Sequence, residues 1–395
     1  MGGQQSRFGL MRSRAPEMLE MIRQLLSKPS VSSPRPEFDM SNREVVLLLA
    51  QWLEDSGFKV RIQPLEGNDQ KFNLIAQLGE GSGGLALAGH LDTVPTDERL
   101  WRFDPFAGEL HNGRIYGLGC ADMKAFFAIA LSAVIAAAGK NPLHHPVYIL
   151  ATADEESSMA GAKALVESFG PLACPMIIGE PTGLSPVVTH KGVLMERFVV
   201  HGRGGHSSDP GGGANAMEAM HAVITSLLEV RDNWQLHFQD PVFRVPVPTM
   251  NLGYIHGGDN PNRICERCEL LIDIRPLPSM PMGELRIQMH ESARRAIIGT
   301  GCTIKSESLF DPVPGFASTP DAWFLHMLED LSEQPVMSVA FATEGPYYQQ
   351  WGVQPVIWGP GDIACAHQPD ENLSLDRIAR AENILTHVIT RCCTG

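Results

Sequence analysis

At 395 residues, 44% hydrophobic and 19% charged, the chain has the make-up of a two-domain globular protein rather than a disordered or fibrous one. A formal net charge of −14 argues against nucleic acid, whose affinity rests on Lys and Arg neutralising phosphates. Eight cysteines are too sparse for a disulfide framework and no apolar run is long enough to span a bilayer, so a reducing, cytoplasmic location fits best.

Residues Met1 to Arg14 carry three arginines but no apolar core segment, which is not a secretory signal. Gly2 and Ser6 formally match a myristoylation pattern, although one acyl chain anchors only weakly, and the stretch reads as a leader or a cloning remnant. Residues 17–28 have helical apolar spacing and stop at Pro29. Ser41 with Glu44 predicts a capping box opening a helix to about Asp55, with Gly57 ending it. Strands are expected near 58–63 and 72–78, followed by the apolar run Leu85-Ala-Leu-Ala-Gly. His90 and Asp92 come next, two apart and so on one face of an extended chain. Such a pair is either a metal ligand with the carboxylate that orients it, or two polar residues at a turn.

After a loop rich in Trp, Asp, Pro and Gly comes Gly117-Leu-Gly119-Cys-Ala-Asp122, then an Ala-, Ile- and Leu-rich helix from Met123 to Ala138 closed by Gly139. Asp122 can be its N-cap or a ligand. A dinucleotide fingerprint is rejected, because a carboxylate where a third glycine belongs repels pyrophosphate. A buried strand from Val147 runs into Asp154-Glu155-Glu156, a helix spans about 158–169, and a short strand from Met176 ends at Glu180. Residues 192–310 then read strand 194–203, helix 214–230, strands 249–257 and 268–275, helix 283–298 and strand 302–310. That β-α-β-β-α-β order predicts a ferredoxin-like insertion into a domain made of 15–191 and 311–395. Cys265 and Cys268 within it form a lone CxxC and read as structural thiols. Helix 320–332, strands 335–341 and 355–358 and helix 374–391 complete the outer domain, with His367 in the loop before the last helix.

His90, Asp122, Glu156, Glu180 and His367 thus stand at or just past strand ends, and two histidines with three carboxylates are donors that zinc accepts. Five ligands exceed one catalytic site but suit two ions if Asp122 bridges, with His90 and Glu180 on one and Glu156 and His367 on the other. Glu155 has no ion in that layout and is the candidate general base, while Asp92 is expected to bond the far nitrogen of His90. Zinc is expected at two per subunit, with cobalt or manganese as possible substitutes.

The motifs Gly-His90-Leu-Asp92-Thr-Val-Pro, Gly-x-Gly-x-x-Asp122-Met-Lys, Asp-Glu155-Glu156 and Gly-Glu180-Pro-Thr resemble the co-catalytic zinc hydrolases that include aminoacylases and carboxypeptidase-type deacylases. Further stretches, Gly205-His206-Ser-Ser-Asp-Pro, Asn262-Arg-Ile-Cys, Asp273-Ile-Arg-Pro and Ala366-His367-Gln-Pro-Asp-Glu, are similar to the acetylornithine deacetylases, over nearly the whole chain from about residue 17. The resemblance implies a two-domain α/β fold, a mixed-sheet catalytic domain with the insertion as dimerisation or lid domain, and a homodimer. It implies that His206 reaches the partner subunit's site to stabilise the oxyanion, and that Arg275 and Asn262 bind the substrate carboxylate. Glu344 in Thr-Glu-Gly-Pro is a candidate to hold a substrate ammonium group. The implied reaction is removal of the acetyl group from N2-acetyl-L-ornithine in arginine biosynthesis. The alternatives are the same chemistry on succinyl-diaminopimelate, another acyl-amino acid or a dipeptide, or a catalytically silent dimeric binding protein.

Overall fold

The computed structural model describes residues 15–172 and 174–394, so the Gly2 and Ser6 pattern lies outside the described residues. The chain divides into two units. The first runs through Val188 and takes up Ser318–Met337 and the segment from Thr343 onward. The second spans Thr189–Ala317, wider at both ends than 192–310, and also takes in Ser338–Ala342.

The first unit is built on a mixed sheet, in the order Lys59–Leu65, Asn68–Leu78, Val147–Thr152, Leu85–His90, Met176–Ile178, Val356–Ile357, Val187–His190. The four strands Val147–Thr152, Leu85–His90, Met176–Ile178 and Val356–Ile357 are mutually parallel, while those flanking them are antiparallel. Leu85–His90 is buried along its whole length, which explains its unbroken apolar run. Helix Lys124–Lys140 is likewise buried on most sides, packed against helices Met18–Leu26 and Leu375–Cys393. It continues through the expected stop at Gly139 and ends at Asn141, whose backbone turns extended.

The predicted capping box does not form. Helix Arg43–Asp55 is preceded by Asn42, whose side chain instead clamps the Phe72 backbone in both directions, at 2.9 Å each way. Ser41 Oγ accepts from the Arg43 N–H at 3.2 Å, and Glu44 pairs with Lys28 at 3.0 Å. Three short strands escaped the sequence reading: Glu109–His111, Arg114–Tyr116 and Asn372–Ser374 form a separate small sheet. Three residues carry no usable periodicity.

In the second unit the antiparallel order is Thr249–Gly257, Arg267–Arg275, Leu194–His201, Thr303–Ser308, with helices Ala216–His237 and Met282–Ala296 joining the strands. This is the ferredoxin-like arrangement. Arg267–Arg275 alternates with period two, so Cys268, Leu270, Ile272 and Ile274 enter the core beside Phe198, Met220 and Met289. Glu196, fully buried, accepts from Arg286 and His290 of the covering helix at 2.8 Å each. Cys265 and Cys268 are buried free thiols.

Candidate active site

Register places the first two donors. Ala88 pairs with Ile178 across two parallel strands, so His90 and Glu180, each two residues further on, emerge at the same level. His90 also pairs with Thr152, three residues before Glu155. Parallel strands that end together form the crevice where open α/β sheets bind ligands.

Asp122 reaches this crevice because glycines face two residues that follow it into the helix, Met123 and Phe126. A Cβ on Gly89 would lie 1.9 Å from Cε of Met123, and one on Gly179 would lie 2.3 Å from the Phe126 ring. Their absence lets the start of helix Lys124–Lys140 press onto the strand ends. Asp122 is not the N-cap, a position taken by Met123. Its Oδ1 lies 3.2 Å from His90 Nε2 and its Oδ2 lies 3.5 Å from His367 Nε2. His367 Nε2 is also 2.9 Å from Glu156 Oε1, and His90 Nε2 is 3.9 Å from Glu180 Oε1. Two triads result, His90–Asp122–Glu180 and Asp122–Glu156–His367, each with donor atoms within 4.8 Å of one another. A third group, His90 with Glu155 and Glu156, meets the same distance.

The electrostatics of these residues are unbalanced without a cation. Burial, and then nearby carboxylates, push Glu155 and Glu180 well above the usual carboxylate range. Burial works on Asp122 in the same direction, but hydrogen bonds from His367 and His90 outweigh it and hold the carboxyl low. Hydrogen bonds that its ring donates to Asp122 and Glu156 raise the His367 pKa to about 10. Glu180 Oε1 is buried and accepts no hydrogen bond among the described residues. An orphaned oxygen facing nitrogen and oxygen donors in two triads fits divalent cations of the zinc type.

Asp92 is placed differently from expectation. His90 Nδ1 is 3.0 Å from the Asp92 backbone carbonyl oxygen, while the carboxylate stands 3.7 Å off. That carboxylate accepts the backbone N–H of Glu155 at 3.2 Å and of Glu156 at 3.0 Å. It therefore fixes the acid-bearing loop as well as standing behind His90. Glu344 is fully buried, accepting from Thr152 Oγ1 and from the Tyr348 hydroxyl, and burial pushes it to about 7. His206, Asn262 and Arg275 belong to the second unit. There the exposed His206 contacts Ser208 Oγ at 2.7 Å, and the Ser207 N–H donates to the Asn262 carbonyl at 3.0 Å. Arg275 forks onto Asp273 through Nε and Nη2 at 2.9 and 3.0 Å.

Three residues that sequence reasoning missed surround the crevice. Glu371 is buried against the backbone amides of Gly119, Ala121 and Asp122. Lys71 is buried between Asp39 at 2.6 Å and Asp154 at 2.7 Å. Buried Lys124 donates to the Lys28 carbonyl at 2.8 Å. The one available signal was a lysine just ahead of an apolar stretch, as in Gln-Lys71-Phe-Asn-Leu-Ile-Ala.

A two-domain α/β chain with paired histidine–carboxylate triads at its parallel strand ends is a metallohydrolase in fold and donor set. A model of Peptidase family M20/M25/M40 matches residues 86–391, and the chain belongs to that family, whose hydrolases act on peptide and amide bonds. Among solved structures it is similar to the M20 family metallo-carboxypeptidase Sso-CP2 from Sulfolobus solfataricus, with TM-score 0.75, 18% identity, and 95% of this chain and 99% of that chain covered. The aminopeptidase PepT from Bacillus cereus matches with TM-score 0.74, 19% identity and 95% and 97% coverage. The YXEP protein of Bacillus subtilis, described as a dinuclear metal binding peptidase, matches with TM-score 0.65, 16% identity and 95% and 97% coverage. At these identities the likeness is one of fold. No helix among the described residues is long and apolar enough to cross a membrane.

Proposed function

We propose that the chain removes the acyl group from an N-acyl amino acid, N2-acetyl-L-ornithine foremost, using two divalent cations. His90 and Glu180 would hold one, Glu156 and His367 the other, and Asp122 both. The observation that carries this reading is the position of Asp122, with one oxygen toward each histidine. Bound there, such ions polarise the scissile carbonyl and acidify the attacking water.

Glu155 takes the proton of that water and delivers it to the departing amine. It sits beside ligand Glu156 and within ligand-atom distance of His90, where a base must stand to reach a water held between the two triads. On the family resemblance, Arg275 and Asn262 take the substrate carboxylate and His206 the oxyanion, and the native ion is zinc. The acetylornithine preference rests on the motif stretches around His206, Asn262 and His367. A dipeptidase reading draws on solved folds described as a tripeptidase and as a carnosine dipeptidase.

The test is metal analysis with a panel of acyl-amino acids and dipeptides ranked by kcat/KM. Two ions per chain with acetylornithine leading supports the proposal, and a dipeptide leading moves it to the second reading. Glu155→Gln is expected to keep both ions while losing on the order of 10³-fold or more in kcat. Near-normal turnover in that variant removes Glu155 from the role.

A further inference from the structure

Glu371 is 2% exposed, and its side-chain hydrogen bonds run to backbone amides. Its Oε1 accepts the backbone N–H of Ala121 at 2.7 Å and of Asp122 at 3.0 Å, and the Gly119 N–H lies 3.1 Å from both oxygens. Its own carbonyl accepts the Gly117 N–H at 3.0 Å. The residues on either side of it bond to segments that precede Gly117. Asp370 accepts from Arg102, through the backbone N–H at 2.8 Å and Nε at 2.6 Å, and Asn372 opens the strand that pairs with Arg114–Tyr116.

The choice of residue is informative. A buried carboxylate beside Asp122 adds negative charge where it is already in excess, which is unfavourable unless its contacts need it. Three amide N–H groups converging on one side chain are such a need, because a carboxyl group offers them two oxygens on one rigid plane. A glutamine has one acceptor oxygen and would turn an NH2 toward a donor. Glu371 lies four residues beyond His367 and grips the backbone of Asp122 itself. It therefore joins the one carboxylate common to both triads to the loop that supplies His367.

We infer that Glu371 is a positioning residue that sets Asp122 where it can serve two cations, an inference that rests on the two-cation reading above. Groups behind metal ligands typically change metal affinity by roughly 10–100-fold when removed. The test is calorimetric titration of the metal-depleted full chain with Zn2+, for wild type, Glu371→Gln and Asp370→Asn. The expected result is two ions on wild type and on Asp370→Asn, with at least one ion bound roughly 10–100-fold more weakly by Glu371→Gln. Wild-type isotherms for Glu371→Gln overturn the role of Glu371, even if that variant melts earlier, and leave the two-cation reading intact. Fewer than two ions on wild type overturns that reading and this inference together. If Glu371→Gln does not fold, Glu371→Asp takes its place: it keeps the carboxyl group but shortens the reach, so weakened binding supports the role and undiminished binding overturns it.

Discussion

His190 shows how burial alone writes a pH dependence. Its ring stacks on Phe316 at 5.1 Å between centroids, its Nδ1 is 2.8 Å from the Lys191 carbonyl oxygen, and burial pushes its pKa down to about 4. The free imidazole titrates near 6.5, so between that value and about 4 the unfolded chain binds a proton that the folded one refuses. The stability this represents is complete above about pH 6.5 and is lost as pH falls through the window, by up to about 3 kcal/mol. Urea midpoints measured from pH 7 to 4.5 should therefore decline less for His190→Gln than for wild type, and parallel declines would refute the assignment. Lys71 is the opposite case, a buried cation whose desolvation is outweighed by hydrogen bonds to Asp154 and Asp39, so its pKa rises. Ser32 also donates to Asp154, which adopts a left-handed φ of 57° just before Glu155. A side chain in the hairpin strand thereby holds the acid-bearing loop.

Strand ends and the buried helix Lys124–Lys140 set the geometry of the crevice. Gly179 is the contact on which their closeness depends, since a methyl group there meets the Phe126 ring at 2.3 Å. Gly179→Ala should lose about 1–3 kcal/mol through overpacking, and should weaken zinc uptake because Asp122 moves with that ring. Gly139, with open space around it in the same helix, provides the contrast: Gly139→Ala should raise stability by up to about 1 kcal/mol. Equal denaturation midpoints and zinc affinities in the two variants would remove the proposed wedge. What was legible in the sequence follows the same division. The residues that converge in the crevice could be picked out because a histidine or acid at or beyond the end of an apolar strand is conspicuous, and period-two alternation exposed the inserted unit. Glu371 could not be read, because it acts on backbone amides about 250 positions away and its side chain obeys no local pattern. Asp92 was misplaced because same-face alternation fixes a side of the strand and not which of its two acceptor groups meets the ring. The Ser41 cap failed because Asn42 was claimed by a neighbouring strand, a tertiary demand that local spacing does not contain.

The first unit holds all five proposed metal ligands, so ion binding and its stability are linked. An ion at a thousand times its Kd adds about 4 kcal/mol to the state that binds it. Chelation should lower the melting temperature by on the order of 10 °C. Hydrogen exchange should quicken around His90, Asp122, Glu156 and His367 and not along Arg267–Arg275. An unchanged melting curve after exhaustive chelation would contradict this. The first unit is also discontinuous: its sheet is begun before Val188 and completed after Thr343. The His367–Glu156 contact spans 211 positions of sequence. During synthesis, a ribosome delivers three acids and one imidazole to a half-built crevice long before the last imidazole emerges. The ferredoxin-like unit has all its strands in one stretch and can mature in that interval, whereas the crevice must wait for the chain's final segments.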